Sequence, residues 1–228
     1  MKNIKVYLSF ISMLMSLSTI AQKNNGLKLG FNLSPSIVKL SGNDFINEYH
    51  SPTVGFSVGA SVEVKLSNLF SLCSGLSYEK KGSVIKNIDL VFENNGELTK
   101  AKKVAINYNY TTLPILMRAH VGKKKKFFID AGTYFGYLLS QKTKTVFSGS
   151  TNVSNDNDLY KKLDFGLAYG IGYAKTISRN KTLGIELRNN MGLMNVSKTD
   201  VVNNGKIKTN AFLLMMEYSF NVTKKIKK

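Results

Sequence analysis

Tryptophan is absent from this chain, cysteine occurs once, histidine twice and proline three times in 228 residues. A single cysteine, Cys73, excludes an internal disulfide framework, and two histidines, His50 and His120, argue against a dedicated zinc cluster. No cofactor is expected. Three prolines beside 18 glycines exclude a collagen-like or low-complexity chain. Acidic residues are also scarce, 14 against 32 Lys and Arg, for a net charge of +18. With 43% hydrophobic and 11% aromatic residues, however, the chain is too apolar for a disordered polycation. Beyond residue 21 no apolar run is long enough for a membrane-spanning helix.

The first 21 residues read as a secretory signal peptide. Lys2 and Lys5 precede a mostly apolar run from Val6 to Ile20, and Thr19 and Ala21 place small residues at the −3 and −1 positions of a cleavage site. A spanning helix needs about 20 apolar residues, whereas this run is shorter and broken by Ser9, Ser12, Ser16, Ser18 and Thr19. Cleavage after Ala21 removes two lysines, lowers the net charge from +18 to +16 and leaves residues 22–228 as one domain with a basic tail at 221–228.

From Leu27 onward, apolar residues recur at every second position, the period of a strand. Leu27, Leu29, Phe31 and Leu33 form the first such row, and Val54, Phe56, Val58, Ala60, Val62, Val64 and Leu66 the second. Further rows are Phe70, Leu72, Leu76 and Tyr78; Leu163, Phe165, Leu167, Tyr169, Ile171 and Tyr173; Leu183, Ile185, Leu187 and Met191; and Phe212 to Phe220. The segment Phe127 to Leu139 alternates less cleanly. In the fourth segment Ile106, Tyr108 and Tyr110 share one parity and Leu113, Ile115 and Met117 the other, so a bulge is expected near Pro114. Long polar connectors at 39–52, 82–103, 141–160 and 194–208 alternate with short ones at 67–68, 122–126 and 175–181. The pattern predicts an all-β fold, an eight-stranded antiparallel up-and-down transmembrane β-barrel in the cell outer membrane.

Alternation alone also fits a soluble secreted barrel with an apolar, ligand-binding interior. The polar rows favour the membrane reading. Gly55, Ser57, Gly59 and Ser61, with Gly166, Ala168, Gly170 and Gly172, suit a crowded interior, while Tyr78, Tyr108, Tyr137, Tyr173 and Tyr218 fall toward strand ends like an aromatic girdle. Eight strands leave a lumen filled by side chains, so an open porin is not expected. Lys28, Glu63, Lys65, Glu79, Arg118, Asp130, Asp164, Glu186, Arg188 and Glu217 carry the inward charges and are expected to pair as a structural plug.

The chain resembles the PorT-like, or porin-family, small outer-membrane β-barrel proteins of Bacteroidota. The resemblance lies in Tyr110-Thr111-Thr112-Leu113-Pro114-Ile115-Leu116, Ala131-Gly132-Thr133-Tyr134-Phe135-Gly136-Tyr137, Asp164-Phe165-Gly166 and Glu217-Tyr218-Ser219-Phe220. Ala21-Gln22 resembles that group's cleavage junction. Phe220 resembles the terminal aromatic read by the barrel-insertion machinery, although a basic tail follows it here. The resemblance implies an outer-membrane location. One branch of the family serves secretion and gliding machinery, and no feature of this sequence places it there.

The expected role is structural, or surface interaction through four long extracellular loops. A component of a secretion, gliding or surface-assembly machine, a lipid-modifying enzyme and a soluble ligand-binding barrel remain alternatives. For the enzyme, His50 lies beside Ser51 with Asp44 and Glu48 nearby, and His120 points inward; geometry, not adjacency, decides a triad. No catalytic residue is assigned. Lys80, Lys81, Lys100, Lys102 and Lys103, Lys123 to Lys126, and Lys224, Lys225, Lys227 and Lys228 hold most of the surplus charge. The signal peptide removes the chain from nucleic acid, so these lysines either meet outer-membrane lipids and lipopolysaccharide or are solvated. The remaining expected partners are the insertion machinery and an unidentified surface or secretion partner. Cys73 is expected to be a small buried thiol.

Overall fold

The computed structural model describes residues 26–86, 91–94 and 97–222. The expected leader (1–21), the Ala21-Gln22 junction and tail residues 223–228 lie outside the described residues. In chain order the elements are β1 (Leu27–Ser41), α1 (Asp44–Tyr49), β2 (Thr53–Lys65), β3 (Phe70–Lys86), β4 (Val91–Asn94), β5 (Glu97–Lys100), β6 (Lys103–Val121) and β7 (Phe127–Val146). There follow β8 (Thr151–Ser154), a 3-10 turn at Asn157–Leu159, β9 (Leu163–Ser178), β10 (Lys181–Gly192), a second such turn at Val202–Asn204 and β11 (Lys208–Asn221).

Eight of these strands close a barrel in the order β6-β3-β2-β1-β11-β10-β9-β7, with β6 returning to β7. Every neighbouring pair is antiparallel. Closure leaves no edge in the hydrocarbon, where an unpaired N–H or C=O would have no water to bond. The β4–β5 hairpin forms a separate two-stranded sheet, and among the described residues short β8 pairs only with the outer end of β7.

Period two sets the two faces. Phe31, Val54, Ile171, Leu187 and Phe212 project outward and are 60% to 76% exposed, while their chain neighbours Asn32, Gly55, Gly170, Arg188 and Leu213 are buried in the lumen. A soluble barrel of this size would place its apolar row inside; here that row covers the outside. Paired aromatic rings flank the band, Phe135 with Phe165 at 5.1 Å and Phe127 with Tyr173 at 5.2 Å between centroids.

The fourth predicted segment needs correction, whereas the fifth keeps one parity from Phe127 to Leu138, with Ile129, Ala131, Phe135 and Tyr137 outward and Asp130, Tyr134 and Gly136 inward. β6 keeps one parity over its whole length, so Tyr108 and Tyr110 point inward and are fully buried rather than joining an outer girdle. The register against β3 never slips. Pro114 instead leaves a local gap in that ladder, where Gly75 and Leu76 lack partners on β6, and its carbonyl accepts a 2.7 Å hydrogen bond from Ser74 Oγ. The extra residue sits in β7. Asn109 pairs with Ser140 and Tyr110 with Leu138, so Leu139 is the bulge and inward parity passes from Leu138 to Gln141. Strands also run further than expected, with β3, β6 and β7 continuing beyond the apolar band as an extracellular wing.

The lipid-facing band makes a depth-dependent prediction. Leu187→Arg, in mid-band, is expected to cost about 2–4 kcal/mol and Leu163→Arg, at the extracellular margin, about 0–1 kcal/mol. Urea unfolding of the protein folded into lipid vesicles checks both.

Candidate functional site

The inward rows bring charge to the centre of the barrel from five strands. Arg118 on β6 faces Asp130 on β7 directly across the ladder, because the short turn at residues 122–126 fixes that register. The guanidinium grips the carboxylate with two hydrogen bonds, Nε to Oδ1 at 2.8 Å and Nη2 to Oδ2 at 2.7 Å. Arg118 Nη1 also reaches Glu63 Oε2 at 3.2 Å, and Lys28 Nζ holds the other oxygen of Glu63 at 3.2 Å. On the far side Arg188 forks onto Glu186, Nε to Oε1 at 2.7 Å and Nη2 to Oε2 at 2.8 Å, and touches Asp130 at 3.4 Å. Planar guanidinium suits this bidentate pairing.

Small residues open the space for these heads. A methyl group on Gly170 would lie 2.5 Å from Glu186 Oε1, and one on Gly172 would meet the ring of Phe128. That ring lies 3.7 Å beneath the Arg118 guanidinium, so glycine on β9 makes room for a cation–π contact as well as for the ion pairs.

A second cluster lies nearer the extracellular end. Lys81 is fully buried, with Nζ 3.1 Å from Asp164 Oδ2 and 4.1 Å from the centre of the Tyr134 ring. Tyr134 and Thr209 hydroxyls donate to the same Asp164 oxygen at 3.0 and 2.7 Å, and Asn190 donates to Glu79. Lys81 is a correction, since the sequence reading put it with the solvated loop lysines. The signal was present: the inward row Ser71, Cys73, Gly75, Ser77, Glu79 continues to Lys81 without a slip.

Of the ten predicted lumen charges, Lys28, Glu63, Arg118, Asp130, Glu186 and Arg188 form one connected group, and Glu79 and Asp164 belong to the second. Glu217 stands in no ion pair among the described residues and lines a cavity of about 80 Å³ with Lys28, Glu63, Arg118 and Glu186. Lys65 is a correction. It is the last residue of β2 and exposed, because its side chain extends past the periplasmic mouth of the barrel. Phe220 packs on the outer surface of β11 opposite Leu29 and Lys181. Cys73 is buried against Leu116, Tyr134 and Ala168.

Neither histidine meets the residues considered for a triad. His50 is buried under the extracellular surface, its Nδ1 2.7 Å from Ser83 Oγ, while Ser51 is engaged through its backbone with Val84 and Asp44 and Glu48 are exposed. His120 Nε2 lies 2.9 Å from Ser71 Oγ and 3.4 Å from Glu63 Oε1. Both partners therefore crowd one ring nitrogen, whereas a relay needs the acid on the other, and Ser71 is fully buried. Among the described residues no three His, Cys, Asp or Glu side chains converge as metal ligands would.

An apolar cluster covers the extracellular end of the lumen. Leu40, Ile46, Tyr108, Tyr110 and Leu138 pack together beneath Tyr160, Val201 and Ile207 from the loops. The loops are tied to one another by backbone bonds, Lys161 N–H to Val196 O at 2.8 Å and Lys198 N–H to Leu159 O at 2.9 Å.

The chain matches one family model and is similar to several solved structures. A family model described as outer membrane protein beta-barrel domain matches residues 20–198. No curated protein matches the chain. Among solved structures, Ail, the attachment invasion locus protein of Yersinia pestis, is 12% identical with a TM-score of 0.41, covering 86% of this chain and 99% of its own. Neisserial surface protein A is 11% identical with a TM-score of 0.40, covering 85% and 96%. OprG from Pseudomonas aeruginosa is 7% identical with a TM-score of 0.42, covering 86% and 97%.

Two predictions follow from the geometry. Arg188→Ala removes the bidentate partner of Glu186, leaving it only Arg118 Nη2 at 3.7 Å, and is expected to cost about 3–5 kcal/mol, whereas Lys65→Ala, at an exposed rim position, stays within about 0.5 kcal/mol; denaturant midpoints of the folded barrel check the contrast. His50 lies outside the membrane, and burial, aided by nearby Lys39, holds its pKa below the ordinary 6.5. The packed loop thus prefers neutral imidazole and the opened loop binds more protons. Its stabilisation is complete above pH 6.5 and is lost as pH falls from there toward the lowered value. Hydrogen-exchange protection of the Ser51 and Val84 amides should drop over that window, and His50→Asn should abolish the pH dependence.

Proposed function

The chain belongs to the outer membrane protein beta-barrel domain family, and on that premise we propose that it serves as a sealed barrel whose extracellular loops are its working surface. That it is an outer-membrane β-barrel protein follows from the family and the closed eight-stranded fold. The observation that carries the sealed reading is the Arg118–Asp130–Arg188–Glu186 group, which places two guanidinium ions and two carboxylates across the lumen within hydrogen-bonding distance. An ion entering from either end would have to displace a partner and leave a buried charge unpaired, at a cost of several kcal/mol. The apolar cluster around Leu40, Tyr108 and Leu138 supports the same reading from the extracellular side.

In this reading the protein is not a catalyst, because neither His50 nor His120 has both a nucleophile and an orienting acid in relay. Outer-membrane lipids contact the apolar band, the barrel-insertion machinery reads the strand that ends near Phe220, and any surface or secretion partner meets the tied loops.

Planar bilayer recording tests the proposal. The folded wild-type protein is expected to give no steady ohmic current under conditions in which a control porin conducts. A reproducible open channel in the wild type would overturn the sealed reading.

A further inference from the structure

The bulge at Leu139 has a consequence for charge. Before it, even-numbered residues of β7 face the lumen; after it, Gln141 is buried and Lys142 and Lys144 are exposed on the outer side. Cross-strand register then places Lys142 beside Asn107 and Lys144 beside Ala105, and puts Lys103 directly opposite Lys86 on β3. Lys80 lies on that same row of β3, two residues beyond lipid-facing Tyr78. Five lysines therefore share one face of the β3–β6–β7 wing, where it continues upward from the apolar band.

No acid on these strands balances them. The inward rows hold all of the barrel-strand carboxylates, and none of the five lysines forms an ion pair among the described residues. Like charges directly opposite, as Lys86 and Lys103 are, destabilise a sheet, and an anion on this face would offset that repulsion. Two observations choose the anion. The lysines form the upward continuation of the lipid-facing surface, and they begin where the outward rows change from Tyr78 and Tyr137 to polar residues.

We propose that this face docks the phosphate groups of outer-leaflet glycolipid, with Lys142 and Lys144, turned outward by the Leu139 bulge, at its centre. The inference rests on the outer-membrane placement of the barrel and is independent of whether the lumen is sealed. Lipid acyl chains lie against Tyr78, Tyr137 and Leu139, and the phosphates of the same molecules come level with the ammonium groups above. Exposed lysines next to an anionic surface contribute individually modest attractions that add and are weakened by salt.

The test uses the whole chain folded in detergent and titrated with mixed micelles carrying bis-phosphorylated lipid A, the same lipid stripped of phosphate, or a soluble sulfated polysaccharide. Lys142→Gln with Lys144→Gln is expected to weaken binding of the phosphorylated lipid about 10- to 30-fold. Lys123→Gln with Lys124→Gln, in the periplasmic turn, is expected to change it less than about twofold, since those lysines lie at the other end of the barrel. Both double variants replace exposed side chains, and a heat-dependent gel shift verifies that each barrel is folded. Equal binding of the dephosphorylated lipid, equal loss in both double variants, or tighter binding of the polysaccharide to the same lysines would overturn the proposal. Current through the wild-type barrel, by contrast, would overturn only the sealed lumen.

Discussion

Water does not reach the middle of a bilayer, so every N–H and C=O of a strand that crosses it must bond to a neighbouring strand. The pairing of β1 with β11 and of β6 with β7 meets that condition by joining the ends of the sheet. The rest of the molecule depends on this closure. It fixes which residues face inward, it makes the lumen narrow, and it brings the buried ions of the inward rows against one another. Arg118 and Asp130 meet across adjacent strands because closure and a five-residue turn hold them in register, and the remaining lumen charges are arranged around that pair.

The same closure explains how proline is accommodated. In an open sheet proline is confined to edges or bulges, and a closed barrel has no edge. Pro114 and Pro35 each coincide with a short gap in one ladder, opposite Gly75 and Leu76 in the first case and Met215 and Leu214 in the second. Ser74 Oγ supplies a hydrogen bond to the Pro114 carbonyl at the gap. The Ser74 hydroxyl thereby satisfies the Pro114 carbonyl, which the gap in the ladder leaves without a backbone partner on β3.

Much of the fold was legible in sequence because a two-residue period is a direct record of two environments. Rows such as Val54 to Leu66 and Leu163 to Tyr173 identified their strands and their outer face. Most lumen charges were legible for the same reason, since parity alone assigns Arg118, Asp130, Glu186 and Arg188. Where the reading failed, the cause was a substitution of one apolar environment for another. Tyr108 and Tyr110 are buried inside the barrel in a cluster with Leu40, Ile46 and Leu138 and do not meet lipid. Read as lipid-facing, they demanded a bulge in β6; the bulge is in β7, where Phe135, Tyr137, Leu138 and Leu139 hide the change of phase in an unbroken aromatic and aliphatic run. Lys81 was missed because a lysine after a polar stretch resembles a loop residue, and only its Tyr134 and Asp164 partners, far away in sequence, make it a buried one.

Charge is sorted by sign as well as by depth. Six of the 14 acidic residues lie on inward rows, five of them paired with Lys28, Lys81, Arg118 or Arg188, and none lies on an outward row of a barrel strand. Lysines have no such restriction, and Lys80, Lys103, Lys142 and Lys144 stand on outward rows just beyond the apolar band. Had the barrel needed only solubility in its exposed parts, either sign would have served. If the wing docks glycolipid phosphate as proposed, an outward carboxylate at the same height would be repelled over a Debye length of about 8 Å. A one-residue bulge thus turns Lys142 and Lys144 outward and Gln141 inward on the same strand whose Asp130, lower down, pairs with Arg118 and Arg188.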